Sequence, residues 1–166
     1  MTTTSDFLPQ DYEIPTKPYF KFVQGDNIVR ILDSPIMGYE YFNTDSKPVR
    51  QKEAFEEMPS DIKQGGTVKH FWAMKIWNYK TGRIEVMEIT QKGILTSIKS
   101  LAENPKWGTP LGYDICIKKE GDGLKTEYTV MPEPKSEITE QQELAYVDTY
   151  VNLEALYTNG DPFIKQ

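Results

Sequence analysis

The sequence predicts a mainly β protein, a five-stranded barrel with one helix between its third and fourth strands. Two features of the 166-residue chain lead to this prediction. Stretches rich in β-branched and aromatic residues alternate with turn residues from residue 27 to residue 131, a pattern that is typical of short antiparallel strands. Residues 90–104 interrupt this order with apolar residues at helical spacing. A chain of this length accommodates one compact domain with an extension at each end.

The first predicted strand is interrupted. Asn27 to Asp33 is rich in β-branched residues, and the run Ile36 to Phe42 continues beyond Ser34-Pro35. Gly38 inside the second run predicts a sharp bend or a bulge, which a small barrel needs at its corners. The polar segment 43–66 follows, and a connection this long indicates either a binding loop or a disordered stretch.

The central stretch, Lys69 to Tyr79, holds the only histidine of the chain and two of its three tryptophans. Written as a strand, its side chains alternate between two faces. One face carries Trp72, Met74 and Ile76, which we expect in the core. We expect the other face to be open to solvent, because a core face would exclude its lysines; it carries Lys69, Phe71, Lys75, Trp77 and Tyr79. A bulge would instead bring Trp72 onto this second face.

The next strand, Ile84 to Thr90, follows a tight turn over Lys80 to Arg83. If the turn has two central residues, Trp77 lies opposite Val86. This pairing places apolar side chains of both strands on one common face, so the hairpin is self-consistent.

A helix and two further strands complete the predicted domain. The helix follows Thr90, a residue that can cap it, and ends at Asn104-Pro105. The strands are Gly112 to Lys119 and Lys125 to Met131, both with alternating apolar residues. This order of elements is that of an OB-type barrel, and a six-stranded antiparallel sandwich is the main alternative.

Two extensions flank the predicted domain of residues 26–135. Residues 1–25 contain three prolines and scattered aromatic residues, which predict an extended arm whose rings pack on the domain surface. Residues 136–166 carry six acids and one base. Because this segment offers few apolar contacts, we predict a flexible acidic tail.

Charge and composition restrict the functional classes. The net charge is −6, but residues 69–135 carry 11 bases against 8 acids, so a nucleic-acid site is permitted. One cysteine and one histidine exclude an internal disulfide and a Cys/His zinc site. We predict no metal and no cofactor. No apolar run approaches the ~18 residues that span a bilayer, and the N-terminus lacks signal-peptide features, so we expect a cytoplasmic protein without membrane contact.

Five stretches resemble the OB-fold single-stranded DNA-binding proteins of bacteriophages. They are Ile28–Leu32 with Gly38–Tyr41, His70–Tyr79, Glu88–Lys92, Trp107–Ile115 and Thr126–Val130. The resemblance covers roughly residues 20–135 and, more loosely, residues 152–163. It implies sequence-tolerant binding of single strands during phage replication or recombination, in the host-cell cytoplasm. It also implies an acidic tail that docks replication or recombination proteins, here through Asp161, Pro162 and Phe163. The T4-type zinc site is missing from this sequence.

The predicted DNA site combines stacking rings with phosphate-binding bases. Bases of the DNA would stack on Trp77, Tyr79 and Tyr41, while cationic side chains neutralise phosphates. The full set of candidate residues is Arg30, Tyr39, Tyr41, Lys47, Arg50, Phe71, Lys75, Trp77 and Tyr79. The acidic tail would compete with DNA for this groove and be displaced on binding.

Catalysis is not expected. A single histidine leaves few base–nucleophile pairs, no carboxylate cluster has a strand setting, and no Walker-type phosphate loop is present. The alternative function is that of an OB-fold adaptor that binds proteins and no nucleic acid, which the excess of acids favours. The sequence leaves open whether the protein forms a homodimer.

Overall fold

A computed structural model describes residues 7–10, 12–14 and 16–165. Within this range the chain forms an antiparallel seven-stranded sheet and two α-helices. The strands are β1 (Gly25–Ile31), β2 (Ile36–Phe42), β3 (Pro48–Gln51), β4 (Lys69–Asn78), β5 (Arg83–Ile89), β6 (Tyr113–Glu120) and β7 (Glu127–Lys135). The helices are α1 (Lys92–Glu103) and α2 (Glu140–Asp148), with 3₁₀ helices at Pro110–Gly112, Gly123–Lys125 and Leu153–Thr158. The prediction of a mainly β fold is confirmed.

The sheet is organised around β4. Its neighbours follow the order β3-β2-β4-β1-β6-β7, and β5 pairs with β4 outside this path. The sheet has more strands than predicted because β3 forms within the polar segment and because β1 and β2 are separate strands. Both nevertheless pair with β4: Arg30 lies opposite Trp77, and Met37 lies opposite Trp72. The structure therefore has the interruption between Ile31 and Ile36, where the sequence predicted it.

Gly38 has a different role from the one predicted. A Cβ atom at this position would overlap the carbonyl oxygen of Gln51 in β3. Glycine therefore allows the short strand β3 to approach β2 closely, as glycine does where two backbones come near each other.

The β4–β5 hairpin has a register two residues away from the predicted one. Trp77 pairs with Ile84, and Lys75, not Trp77, pairs with Val86. The connection contains four residues, and Gly82 adopts a φ of +65° within it, a conformation that favours glycine. A shift of two residues leaves every side chain on its predicted face.

The main core lies between the sheet and α1. Met74 and Ile76 of β4 are fully buried there, and Trp72 packs against the same cluster. Helix α1 contributes Ile94, Leu95 and Ile98 from one face. The N-cap is Gln91 and not the predicted Thr90, and the C-cap is Asn104, where Asn104-Pro105 predicted the end of the helix.

A second core covers the opposite face of β4, here called the outer face, which carries Lys69, Phe71, Ala73, Lys75 and Trp77 and continues to Tyr79 just beyond the strand. Phe71 and Ala73 are buried against Leu153 and Leu156 of the last 3₁₀ helix. Thr139 and Gln142 form a reciprocal capping box that starts α2. The prediction of a flexible tail is therefore wrong for residues 136–165. The apolar residues that pack on the outer face belong to the 3₁₀ helix and its flanking loops, which follow neither α-helical nor strand periodicity, whereas Leu144 and Val147 of α2 are exposed.

The N-terminal arm runs between β5 and β7. The amide of Val86 donates to the carbonyl of Pro18, and the amide of Phe20 donates back to the carbonyl of Val86. Phe22 contacts the ring of Tyr128 in β7 at a centroid distance of 5.1 Å. Phe20 and Phe22 pack against the main core, so this part of the arm completes the domain. None of the described helices is long and apolar enough to span a membrane.

Candidate nucleic-acid interface

The predicted aromatic platform is covered. Phe71 has no exposed surface and Trp77 is only 5% exposed. Tyr79 is 43% exposed, but its hydroxyl lies 2.9 Å from Oδ2 of Asp114 and accepts a hydrogen bond from Nε2 of Gln142. The expectation that this face is open to solvent is wrong, because the C-terminal segment lies on it.

Arg30 is an internal residue. Its side chain is 2% exposed, and its guanidinium donates to the carbonyl oxygens of Leu111 and Ser136 at 3.0 and 2.6 Å. Asp114 accepts from Nη1 at 3.3 Å. A buried guanidinium needs partners for its donors, and these bonds join β1 to the ends of β6 and β7. Arg30 is therefore placed to hold strands together and not to meet a phosphate.

Lys75 has partners that its own strand does not reveal. Its Nζ lies 3.3 Å from Oδ2 of Asp33 and 4.7 Å from the centre of the Tyr146 ring. Tyr146 in turn donates from its hydroxyl to Asp33. Lys75 can therefore lie on the covered face, because the carboxylate of Asp33 and the ring of Tyr146 in α2 compensate its charge.

Arg50 joins two carboxylates beneath the last 3₁₀ helix. Its Nε donates to Glu40 at 3.0 Å, and its Nη2 donates to Glu88 at 2.8 Å. Burial, followed by the hydrogen bond with Glu40, raises the pKa of Glu88 to about 7, against the opposing effect of Arg50. Nη1 of Arg50 also reaches the carbonyl of Leu156. This arginine is occupied within the protein and does not face solvent.

The remaining predicted residues are scattered. Tyr41 is buried and donates to Asp61 at 2.7 Å, Tyr39 is half-buried, and Lys47 is exposed at the start of β3. The structure therefore does not bring the predicted set together on one open surface.

The predicted partner-binding tip is docked on the N-terminal arm. Asp161 accepts from Nζ of Lys17 at 2.6 Å, and the ring of Phe163 meets Tyr19 edge-on at 5.3 Å. Pro162 is buried. Recognition of this tip by another protein would require it to leave these contacts.

An open basic cleft lies instead between the start of β4 and α1, beside His70 and Trp72 on the face of β4 that also forms the main core. Lys69, the first residue of β4, belongs by alternation to the outer face and lines the cleft at its edge. We call it the lysine cleft. Its volume is about 530 Å³, and its wall consists of Lys69, His70, Trp72, Thr90, Lys92, Leu95, Thr96 and Lys99. Three lysines thus surround a half-buried tryptophan without a carboxylate in the wall.

The cationic groups of the lysine cleft are available to a ligand. Within the described part of the chain, no carboxylate lies within 4 Å of Lys69 or Lys92. Lys99 pairs with Glu103 one helical turn away, and an exposed pair of this kind contributes only a few tenths of a kcal/mol. The wall of the cleft therefore carries a net positive charge.

His70 adds a second ring beside Trp72. Its Nδ1 lies 2.8 Å from the carbonyl oxygen of Gly38, and because a carbonyl only accepts, Nδ1 carries the hydrogen. The ring packs against Tyr39 at a centroid distance of 5.0 Å. His70 thus contacts Tyr39 of β2 and shares its face of β4 with Trp72.

Sequence reasoning missed the lysine cleft because it assigned Trp72 to the core. The helix contained a usable signal. Lys92, Thr96 and Lys99 recur at spacings of four and three residues, so they share one face of α1. His70 and Trp72 in turn share one face of β4.

Among the described residues, no group of three His, Cys, Asp or Glu side chains could hold a metal ion.

In comparisons with protein-family models, curated proteins and solved structures, the chain has no significant match.

Proposed function

We propose that the protein binds single-stranded DNA with little sequence preference, through the lysine cleft. The observation that supports this is the combination of Trp72, half-buried and accessible from the cleft, with Lys69, Lys92 and Lys99 around it. Unpaired bases present a π-face to an aromatic ring, whereas duplex bases do not, and ring stacking contributes ~1–3 kcal/mol per base. The lysines would bind the phosphates on either side of a stacked base.

The proposal keeps the predicted function and moves its site to the opposite face of β4. It also retains the context that the family resemblance implies, the protection of single strands during phage replication or recombination. The net charge of −6 is compatible with it, because the acids of α2 and its neighbours lie over the outer face while the lysine cleft carries the positive charge.

We further propose that the sheet is an OB-type barrel opened along one side. In support, the interrupted strand β1–β2 pairs with β4 along its length, and β1 also pairs with β6. The helix α1 lies between β5 and β6, which correspond to the third and fourth strands of the predicted five-stranded OB-type barrel. The N-terminal arm bonds to β5 and contacts β7, so it occupies the side on which these two strands would otherwise meet.

The test is a binding titration with a labelled oligo-dT of 20 nucleotides, followed by fluorescence anisotropy. We expect binding that weakens as salt rises, and much weaker binding of a duplex of equal length. Lys92→Glu should lower the affinity at least about tenfold at low salt, because it places a carboxylate against the phosphate chain.

The matched control is Lys80→Glu, the same charge reversal in the β4–β5 turn. This turn lies eight residues beyond Trp72, or roughly 25 Å along an extended chain. Its variant should bind like the unmodified protein. Equal losses for both reversals would show that general charge and not the cleft decides binding, and no binding of the unmodified protein would contradict the function.

The second candidate function is the adaptor that binds proteins. The exposed side of α2 favours it, since Leu144 and Val147 lie in solvent beside acids of the same helix. An adaptor would show no response to oligo-dT in the titration above. It would also lose its function on Leu144→Asp, a substitution that the DNA-binding proposal predicts to be neutral.

A further inference from the structure

A second cleft adjoins the lysine cleft, and we call it the loop cleft. It has a volume of about 530 Å³ and lies between β2 and the end of the polar segment before β4. Its wall consists of Glu40, Tyr41, Phe42, Ser46, Lys63, Gly65, Gly66, Thr67, Lys69 and Thr90. Lys69 and Thr90 line both clefts, so the two clefts adjoin at these residues.

The loop cleft has an ordered wall. The amide of Lys63 donates to the carbonyl of Phe42 at 2.8 Å, and the amide of Thr44 donates to the carbonyl of Asp61 at 2.9 Å. The wall turns at Gly65, whose φ of +78° favours glycine. The polar segment predicted as a binding loop or a disordered stretch therefore forms a fixed wall at this end.

The loop cleft repeats the chemistry of the lysine cleft. Phe42 is 48% exposed, which leaves its ring available for stacking. Lys63 and Lys69 supply cationic groups, and within the described ranges neither has a carboxylate within 4 Å. The one carboxylate in the wall, Glu40, is buried and bound to Arg50, so its repulsion of a phosphate is compensated.

We propose that one DNA strand occupies both clefts in succession, passing Lys69 at their junction, with Trp72 stacking a base in the lysine cleft and Phe42 stacking one in the loop cleft. This inference rests on the proposed function and defines its footprint. Short oligomers settle in the lysine cleft, which has three lysines and two rings, and only longer ones reach Phe42.

The experiment measures the affinity of Phe42→Ala and Trp72→Ala for oligo-dT of 4, 6, 8 and 12 nucleotides at low salt. Trp72→Ala should weaken binding of every length. Phe42→Ala should leave the shortest oligomer unchanged within about twofold and weaken the longest about tenfold, the lower part of the range for one stacked base. Lys63→Gln should show the same dependence on length.

The matched control is Met131→Ala, which removes a similarly exposed apolar side chain from β7 and should affect no length. A loss with Phe42→Ala that is equal at all lengths, or absent at all lengths, overturns the two-cleft path. If Phe42→Ala changes the affinity at no length but Trp72→Ala lowers it, the two-cleft path is wrong and the proposed function is still supported. If no oligomer binds the unmodified protein, both proposals fail.

Discussion

Trp72 and Trp77, five positions apart in the sequence, project from opposite faces of β4. Trp72 lies opposite Ile89 and borders the lysine cleft, whereas Trp77 lies opposite Ile84 and is buried on the outer face. An odd separation in a continuous strand places side chains on opposite faces, and the pairing with β5 is unbroken between them. The two rings therefore lie in different surroundings: Trp72 is half-buried at the lysine cleft, and Trp77 is buried inside the fold.

Replacement of Trp77 should therefore affect stability and not binding. We expect Trp77→Ala to lower the free energy of unfolding by about 3–5 kcal/mol, as removal of a buried aromatic side chain does. The folded fraction should bind oligo-dT within about twofold of the unmodified protein. Urea unfolding and anisotropy titration measure the two quantities. A variant of normal stability with lost binding would restore the outer face as the DNA site.

The salt dependence of binding should identify the lysines that contact phosphate. For single strands, each contact contributes about 0.7 to the slope of log affinity against log salt. Lys69→Gln and Lys92→Gln should each reduce the slope by about this amount. Lys75→Gln is the control, because its Nζ already pairs with Asp33, and its slope should stay unchanged. A reduced slope for Lys75→Gln alone would contradict the assignment.

Stability should fall with rising pH through Glu88. Its pKa is about 7 in the folded protein and 4.5 as the unperturbed value, so above pH 4.5 the folded state binds more protons than the unfolded state. This contribution is fully present below pH 4.5 and is lost as pH rises through 7, at a rate of up to about 1.4 kcal/mol per pH unit. Denaturant unfolding at pH 5 and pH 8.5 measures it.

The variant for this measurement is Glu88→Gln, which keeps a neutral hydrogen-bonding side chain beside Glu40 and Arg50. It should match the unmodified protein at pH 5 and exceed its stability at pH 8.5. Glu127→Gln, which removes an exposed carboxylate from β7, should follow the unmodified protein at both values. An unchanged pH dependence in Glu88→Gln would show that Glu88 is ionised throughout.

The C-terminal segment should contribute to the stability of the domain. Leu156→Ala removes a side chain buried against Phe71 and Ala73, and we expect a loss of about 2–5 kcal/mol. Leu144→Ala, on the exposed side of α2, should change stability by less than about 0.5 kcal/mol. Urea unfolding and limited proteolysis compare the two. Equal stability of both variants would support the flexible tail that the sequence predicted.

Much of the fold was predictable because strand alternation and helical spacing are local signals. The interrupted first strand, the β4–β5 hairpin and α1 all follow from them, and the core role of Met74 and Ile76 does as well. The cover on the outer face was not predictable, since residues 136–165 pack without a regular period. Whether Lys75 faces water depends on Asp33 and Tyr146, which are distant in sequence.

The location of the predicted DNA site on the outer face was wrong for the same reason. Lysines among rings indicate either a nucleic-acid platform or cationic groups with compensating partners, and only tertiary contacts distinguish the two. Arg30 and Arg50 show the second case. The lysine cleft is formed jointly by a strand and a helix. Periodicity within one element does not show which residues of another element lie next to it, so the sequence does not predict this cleft.

The most direct test of the account compares tryptophan fluorescence of the unmodified protein and Trp72→Phe during titration with oligo-dT. Phenylalanine retains a stacking ring, so the variant should still bind by anisotropy. We predict that oligo-dT quenches the fluorescence of the unmodified protein and that most of this quenching disappears in Trp72→Phe, because Trp77 is buried and Trp107 packs against Tyr113 and the main core. Quenching that is unchanged in Trp72→Phe would contradict the assignment of the lysine cleft as the DNA site.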